Sequence, residues 1–516
     1  MKILRYGLFA ALVFTSALLA EEPAGPAGYS AGSAADRAGR VRTAAAVVDR
    51  LFREHAAARN LPGLAWGVVL DGELVLAGGC GHANIDAGIA AGPQILYRAA
   101  SISKSITALA ILQLRDAGLL RLDDPAARYL PEMRSLRYPA ADSPEITLRH
   151  LLTHGAGLPE DNPWGDRQLA CSDAGLLALI PGISLANTPG VTYQYSNLGF
   201  ALLGQIVQRV SGMAYNLYTT DKILKPLGMD ATIWEYTEAP PERIAHGYDA
   251  GADGFVEVPL AHHGAYGAMG GLITSVEDFA RYVALQLAAW PPRDDPETGP
   301  LCRASLREMQ HPWRFYSLAL DNRRPDGTAC PAAQAYGYGL RWQSDCDGRV
   351  TVGHSGGLPG FGSNWTMLPA YGLAVISFDN LTYATTSGVN RAVLDTLIVL
   401  AGLRPWQPPV TGILEQRKNE LVRLLPEWTE VGTAGIFAEN FFRDRALAEW
   451  VRQTRTLYAA AGEIAGVGAL LAEDRLRGSF VLRGSGKDIR VFFTLTPERE
   501  PKIQELRMSL VQKSTP

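Results

Sequence analysis

The stretch Ala99-Ala100-Ser101-Ile102-Ser103-Lys104-Ser105-Ile106-Thr107 holds the one lysine between Lys2 and Lys222. Elsewhere the chain writes its positive charge as arginine, with 40 Arg against 8 Lys. Arginine keeps its proton at any working pH, whereas a lysine removed from water can give it up. Positions three apart on a helix share a face, with Cβ atoms about 5–6 Å apart. Ile102, Ile106, Ala108, Leu109, Ile111 and Leu112 spread apolar side chains around most of this predicted helix, so it is expected to be buried. Burial disfavours the ammonium form, and a neutral amine one turn from a serine can take the hydroxyl proton. The pattern is Ser-x-x-Lys. The spacing alone is weak, since a structural serine beside a snorkelling lysine gives the same string.

The rest of the chain sets the frame for this pair. A length of 516 residues favours two domains. A hydrophobic share of 47% with 19% charged residues describes a packed globular protein. A formal net charge of −4 gives no reason to expect nucleic acid as a partner. Residues 1–20 read as a signal peptide: Lys2 and Arg5, an apolar run from Leu8 to Leu19, then Ala20 before Glu21-Glu22. That run is short for a bilayer span of about 20 residues, so an exported protein, periplasmic or secreted, without a stable span after cleavage is expected. Of the cysteines, Cys330 can pair with Cys346, Cys302 is a competing partner, and Cys80 reads as a buried free thiol. No Cys or His spacing resembles a metal site, and neither metal nor cofactor is expected.

Residues 21–40 are rich in Ala, Gly and Pro and read as a linker. A helix is predicted to about Asn60, then two strands, Leu64 to Leu70 and Glu73 to Cys80, joined by the hairpin signal Asp71-Gly72. From Tyr97 to Ala289 the pattern is largely helical. Strands return at Tyr338 to Gln343, Arg349 to His354, Ser363 to Leu368 and Leu373 to Phe378, followed by a helix from about Ser387 to Ala401. The simplest arrangement is an antiparallel sheet built from both ends of residues 41–404 and flanked by helices, with the middle set in as a helical lobe. Pro405, Pro408 and Pro409 mark a boundary, and residues 410–516 read as a small α+β domain in which no chemistry is visible.

Two further stretches carry reactive groups. In Tyr195-Ser196-Asn197, a phenol can relay a proton near a lysine and an amide can hold a substrate carbonyl. A helix start capped by Ser196 is the alternative reading. In His354-Ser355-Gly356-Gly357, at a strand end, glycines allow close approach and the Gly357 N–H can serve as an oxyanion donor. Two Gly-x-Ser-x-Gly strings, around Ser30 and Ser355, fail as nucleophile elbows. The first has no strand before it, and the second runs into Leu358-Pro359-Gly360 rather than a helix.

Taken together, in this order, these motifs resemble the Ser-x-x-Lys serine hydrolases related to class C β-lactamases, D-alanyl-D-alanine carboxypeptidases and the esterases that share their fold. Arg149-His150-Leu151-Leu152-Thr153-His154-Gly155, Pro226-Leu227-Gly228-Met229 and Gly270-Gly271-Leu272-Ile273-Thr274-Ser275 fit as well. The resemblance runs from about Val41 to Leu403. It implies a β-lactamase/transpeptidase-like fold of α/β (α+β) class. It implies Ser101 as acylated nucleophile, with proton transfer shared by Lys104 and Tyr195 and the base unassigned between them. Asn197, His354, Ser355 and Gly356 are implied to contact substrate, and the N–H groups of Ser101 and Gly357 to bind the oxyanion. His354 stands where typical β-lactamases carry lysine. That shifts the expected substrate from a β-lactam toward an ester or a D-amino-acid peptide, since imidazole is mostly neutral near pH 7. His154 is expected to be structural. A slow-acylating penicillin sensor or silent binding scaffold is the alternative of another class.

Overall fold

A computed structural model describes residues 34–513 apart from residues 325, 430 and 432–434. The predicted signal peptide lies outside the described residues. Nine strands form one antiparallel sheet in the spatial order Ile89–Ala90, Glu73–Asn84, Gly63–Leu70, Leu373–Asp379, Phe361–Leu368, Val350–Leu358, Arg341–Ser344, Ala332–Tyr336, Arg314–Ala319. The N-terminal hairpin therefore pairs with the last strand of the later set, from Leu64 opposite Asp379 to Leu70 opposite Leu373. At the hairpin tip Asp71 and Gly72 both have positive φ, 53° and 90°. That is the geometry an Asp-Gly turn favours, because its twist matches the flanking strands.

Gly63–Leu70 is buried along its whole length because both sheet faces are covered. Alternation sorts its side chains. Leu64, Trp66, Val68 and Leu70 pack with Val48, Phe52, Val393 and Leu397 of the helices Ala45–Ala58 and Ser387–Leu400. Ala65 and Val69 join the larger core formed with the helical middle of the chain, including Ile106, Leu109, Phe200 and Phe279. Phe52 stacks on Trp66 with ring centroids 4.9 Å apart. Residues 412–511 build a separate five-stranded sheet over the helices Gly412–Leu424 and Leu447–Ala461, with its own apolar cluster around Trp428, Phe441, Trp450 and Val491.

Three findings depart from expectation. The end of the expected linker is helical: Ala34–Thr43 places Ala38 and Val41 in the cluster behind the sheet. Alanine-rich composition suits a helix as readily as a linker, and long-range pairing decides between them here. Arg37 is fully buried, donates to Asp71 at 2.9 Å, and also bonds the carbonyls of Tyr371 and Arg404. The strands Arg314–Ala319 and Ala332–Tyr336 extend the sheet where none was expected. The outer one leaves Phe315 and Leu318 exposed, so it carries no clean alternation. A small hairpin, Gly247–Gly251 with Gly254–Val258, interrupts the helical middle. Cys330 and Cys346 form a disulfide, while Cys80, Cys171 and Cys302 are free and half-buried.

Removing one member of a buried ion pair leaves its partner uncompensated. Arg37→Ala is therefore expected to lower stability by about 3 kcal/mol, read as a drop in the urea midpoint. The Arg37→Ala/Asp71→Ala double variant should recover part of the loss.

Candidate active site

Ser101 lies in a 3-10 turn, Ala100–Ile102, that feeds the helix Ser103–Asp116. Ala100 has φ +53°, a left-handed conformation costing a non-glycine residue about 1 kcal/mol or more. Neighbours hold the turn in place. Ser363 Oγ donates to Ala99 O at 2.8 Å, Ser103 Oγ donates to Ala100 O at 2.7 Å, and Leu272 N–H donates to Ser103 Oγ at 3.0 Å. The strand Val350–Leu358 passes close by. A Cβ on Gly356 would lie 2.6 Å from Ala99 O and 2.9 Å from Ala100 Cβ, so a side chain there would push strand and turn apart.

Lys104 is fully buried. Its Nζ stands 2.7 Å from Asn197 Oδ1, 2.9 Å from Met269 O and 2.9 Å from Ser101 Oγ, and 4.9 Å from the Tyr195 ring centre. The first two partners can only accept. A neutral amine spends its two protons on them and turns its lone pair to the serine hydroxyl. Burial brings the lysine down to about 7, against the opposing pull of the Asp166 and Asp161 carboxylates.

Tyr195 and Asn197 straddle the start of the helix Asn197–Ser211. Ser196 caps it, its Oγ accepting from Gly199 N–H at 3.2 Å, so the capping alternative holds together with the site placement. His154 is 2% exposed. Its Nδ1 accepts from Ser196 N–H at 3.0 Å, and its ring lies 4.3 Å from that of Tyr195, so it positions the phenol. Burial pushes the Tyr195 hydroxyl up, opposed by its contact with Ser101. The loop 161–166 folds back on this helix start. Asp161 Oδ1 and Oδ2 accept from Asn197 and Leu198 N–H, each at 2.7 Å. Asn197 Nδ2 donates to Asp166 Oδ1 at 3.1 Å and to Asn162 Oδ1. Both its amide protons are thus committed internally. The amide oxygen serves Lys104 in the same arrangement.

His354 is buried and turned inward. Its Nε2 lies 2.7 Å from Tyr336 Oη and its Nδ1 faces Ser355 O, while burial pushes its proton affinity well below the usual range. Ser355 is part of the strand Val350–Leu358 and its Oγ accepts from Asn364 Nδ2 at 2.9 Å, with no elbow. Tyr383 covers Gly357: a Cβ there would meet Tyr383 Cδ1 at 2.9 Å. Its hydroxyl reaches Asp166 Oδ2 at 3.3 Å. The exposed Arg341 brings its guanidinium carbon 5.8 Å from the Tyr195 ring centre and, among the described residues, makes no side-chain hydrogen bond or ion pair.

The beta-lactamase family model matches residues 48–400. The chain belongs to the beta-lactamase family. Esterase EstB of Burkholderia gladioli is 30% identical over 383 residues, covering 67% of this chain and 92% of the esterase. Protein flp of Staphylococcus aureus is 27% identical over 345 residues, covering 65% of this chain and 63% of flp, so the chain spans under two thirds of that relative's length. Among solved structures, the octameric penicillin-binding protein homologue from Pyrococcus abyssi has a TM-score of 0.57 at 22% identity, covering 91% of this chain and 96% of its own. A class C beta lactamase from Rhodobacter sphaeroides has a TM-score of 0.54 at 24% identity, covering 68% and 99%. These likenesses show the β-lactamase/transpeptidase-like fold.

Within this beta-lactamase family chain, the structure brings Lys104 against Ser101, Tyr195 and Asn197, sets the His354 ring 6.3 Å from that of Tyr195, and packs Gly356 on the turn that carries Ser101. Sequence reasoning missed Arg341, Tyr383, Asp161 and Asp166. The paired aspartates flanking Pro163 and Gly165 were a signal, since Gly165 lets the loop seat: a Cβ there would fall 2.8 Å from Asn197 Cβ. Gly356→Ala is expected to cut kcat/KM by roughly 100-fold through displacement of the Ser101 turn, with circular dichroism unchanged.

Proposed function

We propose that this chain is an exported serine hydrolase that cleaves an ester or amide bond through an acyl-enzyme on Ser101. The observation that carries the proposal is the 2.9 Å contact between Lys104 Nζ and Ser101 Oγ, made by an amine whose other two hydrogen-bonding directions end on acceptors. Lys104 acts as base. It is pushed toward neutrality while Tyr195 is pushed toward retaining its proton. Ser101 Oγ adds to the substrate carbonyl as its proton passes to Lys104 Nζ, and the N–H groups of Ser101 and Gly357 receive the developing oxyanion. Tyr195, against Ser101, gives its phenolic proton to the departing alcohol or amine and takes a replacement from the Lys104 ammonium, so both groups end the acylation as they began it. Water then adds to the acyl ester by the same route in reverse.

Residues 41–404 form the hydrolase domain in this reading, with residues 410–516 an appended domain. The Cys330–Cys346 disulfide supports an oxidising, extracytoplasmic location, in line with the signal peptide expected at residues 1–20. Among the described residues, no helix is long and apolar enough to cross a membrane. The relatives support hydrolysis at large: one is named an esterase, one a class C beta lactamase. Arg341 favours a second, narrower reading. A guanidinium beside the phenol, with no carboxylate partner among the described residues, suits a substrate carboxylate, and it supplies positive charge where burial favours the neutral form of His354. On that reading a D-amino-acid peptide or β-lactam is preferred over a neutral ester.

Ser101→Ala is expected to abolish turnover of a short-chain p-nitrophenyl ester, a chromogenic cephalosporin and a D-Ala-D-Ala peptide alike. Stoichiometric labelling of wild type without turnover would instead indicate a sensor. Arg341→Ala should raise KM about tenfold or more for the two carboxylate-bearing substrates and leave the ester unchanged.

The pH profile follows from the lysine. Lys104 must be neutral to accept the proton, so kcat/KM should fall about tenfold per unit as pH drops below about 7. Asp379, also buried and pushed up to about 7, accepts from Leu381 N–H away from the amine, and Asp379→Asn should leave that limb in place.

A further inference from the structure

The loop Asp161-Asn162-Pro163-Trp164-Gly165-Asp166 sets two buried carboxylates near the Lys104 amine. Asp161 is accounted for, because both its oxygens cap the backbone of the helix Asn197–Ser211. Asp166 caps nothing. It is 5% exposed, and among the described residues its oxygens accept hydrogen bonds from the side chains of Asn197 and Tyr383. A carboxylate so buried costs several kcal/mol unless it is compensated, and the compensation here lies behind the amide that holds the lysine.

We propose that Asp166 is a positioning residue for Lys104: it fixes which way the Asn197 amide faces and places one negative charge behind it. The proposal rests on the acyl-enzyme reading above and deepens it. Were the amide reversed, its Nδ2 would confront the lysine donor and its Oδ1 would confront the carboxylate, two like-with-like contacts. With the amide as found, Oδ1 receives a lysine proton at 2.7 Å and Nδ2 donates to the carboxylate at 3.1 Å. Asn162 Oδ1 supports the same orientation as a second acceptor for Nδ2. The Lys104 lone pair is thereby aimed at Ser101.

The charge acts in addition. Lys104 is faced by Asp161 and Asp166 from this loop, by Tyr195 and Asn197, by His154, and by Arg341 and His354 from the sheet. Burial favours the neutral form of both histidines. Asp166 and Asp161 thus oppose desolvation and Arg341 in favouring the ammonium. A buried lysine without them would shed its proton too readily and be too weak a base for a serine hydroxyl.

The test compares wild type, Asp166→Asn and Asp166→Ala. Asparagine keeps an acceptor for Asn197 Nδ2 and removes the charge, whereas alanine removes both. Protein labelled with 13C at lysine Cε reports the amine directly, and the Lys104 signal is assigned by its loss in Lys104→Arg. The expected titration midpoint of Lys104 falls by about one pH unit in both variants, and the acid limb of kcat/KM moves down with it. Ester kcat should drop only a few-fold in Asp166→Asn and roughly 100-fold in Asp166→Ala. A midpoint unmoved in Asp166→Asn overturns the charge role, and equal kcat in the two variants overturns the orienting role. Ester turnover surviving in Ser101→Ala would sink the acyl-enzyme reading, whereas the Lys104 midpoint tests the tuning independently of turnover.

Discussion

Removal of water from one amine is the constraint on which this structure turns. Lys104 lies on a helix buried along nearly its whole length, and no solvent reaches it. A charge there is costly, so the surroundings must either neutralise it or hold it with good partners. They do some of each. Two acceptors take protons, a serine takes the remaining direction, and two carboxylates stand behind. Much of the polar structure nearby follows from keeping that balance. Asp161 anchors the helix start that carries Asn197, His154 fixes the backbone at Ser196, and Gly165 admits the loop. The serine's turn is likewise held in an uncommon conformation by Ser103, Ser363 and the glycine strand edge.

The sheet was readable because its strands are locally explicit. Gly63–Leu70 is a continuous apolar run and Leu373–Asp379 opens on one, Leu373 to Ile376, and Asp71-Gly72 signals its own turn. The Ser101–Lys104 spacing was readable because three residues on a helix is a fixed distance. Edge strands such as Arg314–Ala319 were not readable, since half-exposed side chains leave no pattern. The helix Ala34–Thr43 was missed because its commitment depends on Arg37 finding Asp71 and two carbonyls far along the chain.

The same limit explains the unread part of the site. Arg341, Asp166 and Tyr383 come from three segments with no common spacing, and only tertiary packing makes them neighbours. Asn197 shows the reverse case. Its place beside Lys104 was inferable from motif order, but the commitment of its amide protons was not, because Asn162 and Asp166 sit in a loop whose path no local rule predicts.

Pairing of Gly63–Leu70 with Leu373–Asp379 has a consequence for biosynthesis. The serine is made early, but Ser363 and the glycine edge that hold its turn are made some 250 residues later. A nascent chain therefore carries an unformed pocket until nearly the whole sheet has emerged from the ribosome. Its first hairpin must wait, exposed, for a partner strand, as expected of topologies dominated by distant contacts.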